Sequence, residues 1–435
     1  MRPDSTFSQG KLPVLAAVLA LVLACRPDAD PTGLNARFSP SHNGVPFAEG
    51  LASPAWQALA RDQVASARLN PVPATRVYAA LGVAQYRAVL AVESTEGAPA
   101  TEPLPGNGLG RGGRERLEAE RGAVAGASAV VLSYFFPSST TQVEDAVQEQ
   151  ENAGPGGPHP AFAVGEQLGR QAGTDAVAAA ATDGFTVPWT GTVPVGPGYW
   201  VSAGPLPNTV ASAQLTHTRP YFLTSRDQFR PGPPPTFGSP EYLTALAEIR
   251  QISDTRTSEQ TQIALFWAMN AGTMTTAGYW NVFATDQIDA HGLSEREATH
   301  VFALLSATMF DAAIGCWDAK LFYWFIRPSQ ADHGIKLIPA IAPPSGLPNH
   351  PSYPSGHSCT SAAAAEVLSD FFPEQRARLD AMVVEAGLSR MYAGIHYRFD
   401  IEAAQVLGRS VARFAIAADA SGNSVLTSPQ NSQGF

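Results

Sequence analysis

Three short segments in the C-terminal part of the chain carry side chains that together suit the binding of a tetrahedral oxyanion. The segments are 320–328 (KLFYWFIRP), 354–357 (PSGH) and 389–400 (SRMYAGIHYRFD). Arginine presents a planar fork of donors that fits phosphate-like oxygens, and lysine adds a point charge. Free backbone N–H groups at a helix start complete such a pocket. The candidate site residues are Lys320, Arg327, Ser355, Gly356, His357, Arg390, His396 and Asp400.

The spacing of the cations and of the Ser-Gly pair predicts how they are presented. Lys320 and Arg327 are seven residues apart, which is two turns of a helix, so we expect both side chains on one helix face. Ser355 and Gly356 precede an alanine-rich segment that should form a helix. Their backbone N–H groups would then face an anion, and glycine would let it approach the backbone closely.

The two histidines differ in their surroundings, which predicts different roles. Asp400 follows His396 by four residues and can accept from one ring nitrogen, fixing the tautomer. The other nitrogen is then free to attack or ligate the central atom of the anion, while His357 moves protons. Each feature alone has an ordinary explanation: a solvated charge, a structural histidine or a plain helix cap. Their joint occurrence favours the oxyanion site.

Together the three segments resemble the signature of the type 2 phosphatidic acid phosphatase (PAP2) and vanadium haloperoxidase superfamily. Every fixed position of K-x6-RP, PSGH and SR-x5-H-x3-D is present in order. Segments 228–231, 258–267 and 317–320 are similar to the soluble bacterial haloperoxidase-like branch. The resemblance implies an all-α fold of paired four-helix bundles.

The resemblance implies an enzyme and leaves two chemistries open for one pocket. In a haloperoxidase, vanadate is the cofactor with His396 as its single protein ligand. Hydrogen peroxide then oxidises halide, bromide being favoured, to hypohalous acid, and a small organic substrate is halogenated. In a PAP2-type acid phosphatase, His396 attacks phosphorus to give a phosphohistidine, and His357 protonates the leaving alcohol. A non-enzymatic oxyanion-binding lipoprotein is a third alternative, which would not need His357.

Two further residues favour the haloperoxidase, in which they would line a halide or substrate pocket. Trp317 precedes Lys320 by three residues and resembles that branch. His350 occupies the position where brominating members often carry histidine and chlorinating members phenylalanine. It could equally be a loop histidine without a role. Small phosphatases of the superfamily also lack the long helical region upstream.

The N-terminus predicts export. An almost unbroken apolar stretch, 12–24, follows Arg2 and Lys11 and is too short to span a bilayer. It ends before Cys25, which is typical of a lipoprotein signal, so residues 1–24 would be cleaved and Cys25 lipidated. Ordinary secretion is the alternative. The polar segment 25–45 would be a tether, making the lipid the only membrane attachment.

Composition narrows the partners. The formal net charge of −10 and the absence of a Lys/Arg stripe argue against nucleic acid. The resemblance leaves a homodimer open. Besides Cys25 the chain has only Cys316 and Cys359, each beside a site motif. They could form a disulfide in an oxidising compartment or remain two buried thiols.

The rest of the sequence predicts helices around one long loop. We expect an N-terminal helical region at 46–238, a C-terminal catalytic region at 239–420 and a polar tail at 421–435. Within the first region, 185–238 is rich in Pro, Gly and aromatic residues and should either shape access to the site or simply wrap the surface. Apolar periodicity predicts helices at 54–69, 73–93, 114–136, 140–152, 161–182, 241–252, 259–270, 275–289, 294–320, 356–372, 375–387 and 396–418.

Overall fold

The computed structural model describes residues 50–96, 111–153, 157–204, 209–422 and 424–427. The predicted signal peptide, the lipidation residue Cys25, the tether and most of the tail therefore lie outside the described residues. Thirteen α-helices form the described fold: α1 Ala52–Ser66, α2 Pro71–Glu96, α3 Arg111–Phe135, α4 Thr140–Asn152, α5 Pro160–Ala181, α6 Pro240–Thr255, α7 Ser258–Phe266, α8 Thr275–His291, α9 Glu295–Tyr323, α10 Pro328–Ala331, α11 Gly356–Phe371, α12 Arg376–Tyr392 and α13 Arg398–Ala420.

The all-α prediction is confirmed, and the helices fall where apolar periodicity placed them, apart from shifts of a few residues at their ends. Extended pairing within the described residues is limited to two isolated bridges, Tyr199 with Phe325 and Ala271 with Thr273. The predicted helix at 396–418 begins two residues later, at Arg398. His396 therefore lies in the turn before that helix.

Helix α9 is the central element of the fold. It begins with a capping box: Ser294 accepts from the Glu297 N–H, and Glu297 accepts from the Ser294 N–H. Many of its own residues are buried alanine and large apolar side chains, and it packs against α2, α11 and α13. It is long and apolar enough to cross a membrane, but 94% of its most apolar window is buried inside the protein, as in a core helix.

Glycines allow two helix pairs to approach closely. On α5, a Cβ at Gly165 would lie 1.8 Å from the Ala119 carbonyl oxygen of α3. On α13, a Cβ at Gly408 would lie 2.2 Å from the Cys359 carbonyl oxygen of α11. Both distances are far below van der Waals contact, so only glycine permits these crossings. The second crossing sets the position of α11, which begins at the candidate site.

The long segment 185–238 packs against α9 through polar contacts. Asp311, in the middle of α9, accepts hydrogen bonds from the N–H groups of Tyr221, Phe222 and Leu223 at 2.7, 2.7 and 3.0 Å. Further along, Arg230 forms a bidentate ion pair with Asp318 of the same helix. These contacts hold the aromatic segment over the helix that carries Lys320.

Candidate oxyanion site

The ammonium group of Lys320 lies at the end of α9 and is fully buried. Its Nζ donates to the carbonyl oxygens of Pro351 and Ser352 at 2.8 and 2.9 Å. Burial lowers the pKa of Lys320 to about 8. A third N–H of the ammonium group remains available for an anion.

Arg327 also lies beside Lys320, but it is not on the same helix as predicted. The helix that carries Lys320 ends at Tyr323, and Trp324 adopts a left-handed conformation with φ 52°. Arg327 is then the N-cap residue of the short helix α10. The expectation that both cations share one continuous helix was wrong, because the chain turns after Tyr323. The turn still brings the two side chains together, since both donate to the Pro351 carbonyl.

The Arg327 guanidinium is fully buried and held from several sides. It donates to the carbonyl oxygens of Ile395 at 2.7 Å and of His350 at 2.9 Å. Its Nη1 also lies 3.5 Å from Nε2 of His396. Burial lowers the pKa of Arg327 to about 9, which leaves the group charged at neutral pH.

Arg390 supplies the third cation, from the last turn of α12. It is 1% exposed, and it donates to the Ser389 hydroxyl and to the Ala264 carbonyl of α7, both at 2.9 Å. Burial lowers its pKa to about 9. Buried guanidinium groups held by neutral acceptors leave positive charge for a ligand to neutralise.

The start of α11 is built as the sequence predicts, with one difference. Ser355 is the N-cap residue and Gly356 the first residue of the helix. The Ser355 N–H, however, donates to the Asp400 carbonyl oxygen at 3.0 Å and is not free for an anion. Its hydroxyl accepts from Ser358 at 3.1 Å and can still donate. The N–H groups of Gly356 and His357, at the open end of the helix, are those left to face an anion.

His396 and Asp400 form the predicted pair. Nδ1 of His396 donates to Oδ2 of Asp400 at 2.9 Å, and both side chains are buried. Arginine has no acceptor, so the approach of Arg327 to Nε2 is favourable only when that nitrogen is unprotonated. Burial, reinforced by Arg327, lowers the pKa of His396 well below its ordinary value. The ring is therefore neutral and presents the Nε2 lone pair.

His357 contains a buried polar atom with an unmet hydrogen bond. The backbone of Ala268 and Trp267 lies beside its ring. Nε2 is buried and has no partner among the described residues. Burial, with a smaller contribution from Arg390, lowers the pKa of His357 to about 3. A bound oxyanion would give Nε2 a hydrogen-bond partner and raise the pKa of His357. The residues of the pocket therefore fit an oxyanion such as vanadate or phosphate.

Trp317 and His350 come together beside the cations. Their ring centroids are 5.0 Å apart, and Nε1 of Trp317 donates to the Ala211 carbonyl of the aromatic segment. Nδ1 of His350 lies 3.1 Å from Nη2 of Arg327 and 3.3 Å from the Pro351 carbonyl oxygen. Both residues were predicted to line a halide or substrate pocket, and they lie next to the oxyanion site.

Two polar residues of this region were not identified from the sequence. The Ser352 hydroxyl donates to Oδ2 of Asp400 at 2.5 Å. The Asn349 side chain accepts from the Ala203 N–H at 2.8 Å and donates to the Thr209 carbonyl at 3.0 Å. Both lie just before the PSGH segment, but no local spacing reveals partners that are 48 to 146 residues away.

Cys316 and Cys359 are both free thiols and both buried. They are close enough to hydrogen-bond to each other. Of the two arrangements left open by the sequence, the structure contains the pair of reduced thiols beneath the site.

Comparison with protein families identifies the domain that contains the site. Residues 298–420 match the family model described as the PAP2 superfamily, and this part of the chain is a PAP2-superfamily domain. A non-specific acid phosphatase of Providencia stuartii is 29% identical over 179 residues, which cover 40% of this chain and 68% of the relative. A lipid A 1-phosphatase of Rhizobium johnstonii is 32% identical over 110 residues, covering 25% of this chain and 41% of the relative.

Solved structures resemble a much larger part of the chain. A bacterial vanadium-dependent iodoperoxidase has a TM-score of 0.66 at 24% identity and covers 84% of this chain and 96% of its own. A bacterial vanadium-dependent chloroperoxidase in its holo form has a TM-score of 0.64 at 15% identity and covers 88% and 98%. At these identities the likeness establishes a common fold.

Proposed function

We propose that the protein is a vanadate-dependent haloperoxidase that oxidises halide with hydrogen peroxide and halogenates a small organic substrate. The observation that carries this proposal is the extent of the fold likeness. Vanadium-dependent peroxidases cover 84% and 88% of the chain, including helices upstream of the catalytic region. The phosphatase relatives align with only 40% and 25% of it. His350 beside Arg327 leads us to favour bromide, as the sequence analysis did.

Each residue of the pocket would have a distinct role in binding vanadate or in transferring protons. Nε2 of His396 would hold vanadate, with Lys320, Arg327 and Arg390 donating to its oxygens. When bound, vanadate would supply the activation of hydrogen peroxide toward halide oxidation. The overall reaction consumes peroxide, halide and one proton, and gives hypohalous acid and water. Nε2 of His357 would move that proton.

The protein holds these groups in place before any ligand arrives. The cations are fixed by backbone carbonyls, so they need little reorganisation when they meet the anion. Asp400 keeps the His396 proton on Nδ1, which leaves Nε2 as the ligating atom. Burial of the whole set excludes water and strengthens each charge interaction.

A phosphatase is the second candidate, and the acid phosphatase relative is the observation in its favour. The same cations would bind the phosphoryl oxygens. Nε2 of His396 would attack phosphorus, and the bond to the leaving oxygen would break as His357 protonates it. Water activated by His357 would then release phosphate from His396.

One pair of assays separates the two candidates. Protein in phosphate-free buffer is supplied with peroxide, bromide and a β-diketone probe, with and without orthovanadate. A second sample receives an aryl phosphate. We expect bromination only with vanadate, inhibition by phosphate, and loss of bromination in His396→Ala. Phosphate release without vanadate-dependent bromination would establish the phosphatase instead.

A further inference from the structure

Ser352 contacts both Lys320 and Asp400, which belong to different sequence motifs of the site. Its hydroxyl donates to Oδ2 of Asp400 at 2.5 Å, and its carbonyl oxygen accepts from Lys320 at 2.9 Å. Its own N–H donates to the Phe325 carbonyl at 3.0 Å, which fixes the residue on a third side. The side chain is fully buried. Ser352 therefore touches both a cation of the pocket and the carboxylate behind the ligating histidine.

The hydrogen bonds to Asp400 are concentrated on one oxygen. Oδ2 accepts from Ser352, from Nδ1 of His396 at 2.9 Å and from the Tyr397 N–H at 3.1 Å. Oδ1 is buried and has no partner among the described residues. Two of the three donors to Oδ2 lie close together in the chain, at 396 and 397. Ser352 is the donor from another segment, so it limits rotation of the carboxylate about its own bond.

We propose that Ser352 is a positioning residue of the oxyanion site, whose hydroxyl orients Asp400 so that His396 keeps its proton on Nδ1 and presents Nε2 to the ligand. The proposal deepens the proposed function and rests on the same pocket, but it holds for either chemistry because both need the Nε2 lone pair. Without the hydroxyl, the carboxylate can turn toward its unpaired oxygen, and the His396 ring loses its fixed orientation.

The direct test is the tautomer of His396 in the ligand-free protein, measured by NMR on protein with 15N-labelled histidine. In the wild type we expect a single tautomer with the proton on Nδ1. In Ser352→Ala we expect a mixture of tautomers or exchange broadening. Orthovanadate should bind the variant about 10-fold more weakly, at the lower end of the usual effect of losing a partner behind a metal-ligating histidine. Ser352→Thr retains a hydroxyl and should restore the wild-type spectrum.

Ser361→Ala is the matched control. Ser361 is also fully buried, lies in the second turn of α11, and accepts from Nε1 of Trp280 at 3.2 Å. Losing this hydroxyl should lower stability but leave the His396 tautomer and vanadate binding unchanged. If Ser352→Ala does not fold, Ser352→Cys provides a weaker donor of similar size and should give an intermediate spectrum.

The outcomes separate this proposal from the proposed function. A wild-type tautomer and wild-type vanadate affinity in Ser352→Ala would overturn the role of Ser352, even if the protein is a haloperoxidase. A wild-type protein that binds neither vanadate nor phosphate would overturn the proposed function, and the tautomer spectra would still decide the role of Ser352.

Discussion

The buried ammonium group of Lys320 predicts an upper pH limit for oxyanion binding. Burial is the main reason that its pKa falls from 10.5 to about 8, and Arg327 adds to the effect. At about 1.36 kcal/mol for each pKa unit, this difference means that the charge costs about 3 kcal/mol in the ligand-free pocket. A bound anion offsets much of this cost, because it favours the charged form.

The sign of the pH dependence follows from the direction of this pKa change. Between about pH 8 and 10.5 the unfolded chain holds more protons on Lys320 than the ligand-free native protein. The contribution of Lys320 to native-state stability therefore rises with pH over this window. Anion binding raises the pKa again, so it takes up close to one proton there. Affinity should fall about tenfold between about pH 8 and 9, and more steeply above 9, where Arg327 and Arg390 also lose their protons in the ligand-free pocket.

Calorimetric titration with tungstate tests this prediction, because the charge of tungstate is constant over the window. Measurements in two buffers of different ionisation enthalpy report the proton uptake directly. Lys320→Met should bind about 10- to 100-fold more weakly at neutral pH, as expected when a charged hydrogen bond is lost. The variant should also lose the decline between about pH 8 and 9, because Lys320 is the first of the three cations to lose its proton. A wild-type affinity that stays constant up to pH 10, or an unchanged decline in Lys320→Met, would refute the assignment.

Three further predictions concern other parts of the chain. His357→Ala should bind vanadate normally but turn over about 100- to 10,000-fold more slowly, whereas His396→Ala should lose vanadate affinity; equal affinities in equilibrium binding would reject this division of roles. Asp311→Ala removes the carboxylate that accepts from three N–H groups, two of them buried, and should lower the free energy of unfolding by about 3 kcal/mol or more in urea titrations. Hydrogen exchange at 221–223 should become faster, and unchanged exchange would mean that other contacts hold the segment. Mass spectrometry should find a lipid on Cys25 of the mature protein, and an unmodified N-terminus further along the chain would indicate plain secretion instead.

The parts of the site that were predictable from the sequence are those set by local spacing. His396 and Asp400 are four residues apart and make their hydrogen bond across the start of α13. The Ser-Gly pair marks the beginning of α11, with Ser355 at the N-cap position and Gly356 as the first helical residue, although the Ser355 hydroxyl accepts no helix N–H. The capping box at Ser294 likewise marks the start of the central helix.

The parts that were not predictable depend on contacts between distant segments. Helix periodicity placed Lys320 and Arg327 on one face, but it could not show that the chain turns at Trp324. The Ser355 N–H donates to the carbonyl oxygen of Asp400, which is 45 residues further along the chain. No short motif predicts a hydrogen bond between residues so far apart. The Ser352 hydroxyl was missed for the same reason. Such partners are determined by how α9, α11 and α13 pack, which a single sequence does not specify.

The position of α9 determines whether the catalytic region could fold without the helices that precede it. This helix carries Lys320, and it packs against α2 as well as against α11 and α13. A fragment cut at the boundary predicted from the sequence, 239, would retain every residue of the oxyanion site. It would also lose the packing of α2 on α9, where Gly82 lies against the backbone of Phe302 and Ala303, and would expose part of a helix that is buried in the full chain. We therefore expect the upstream helices to be needed for the pocket to form, so the pocket should not be transferable to another scaffold without them.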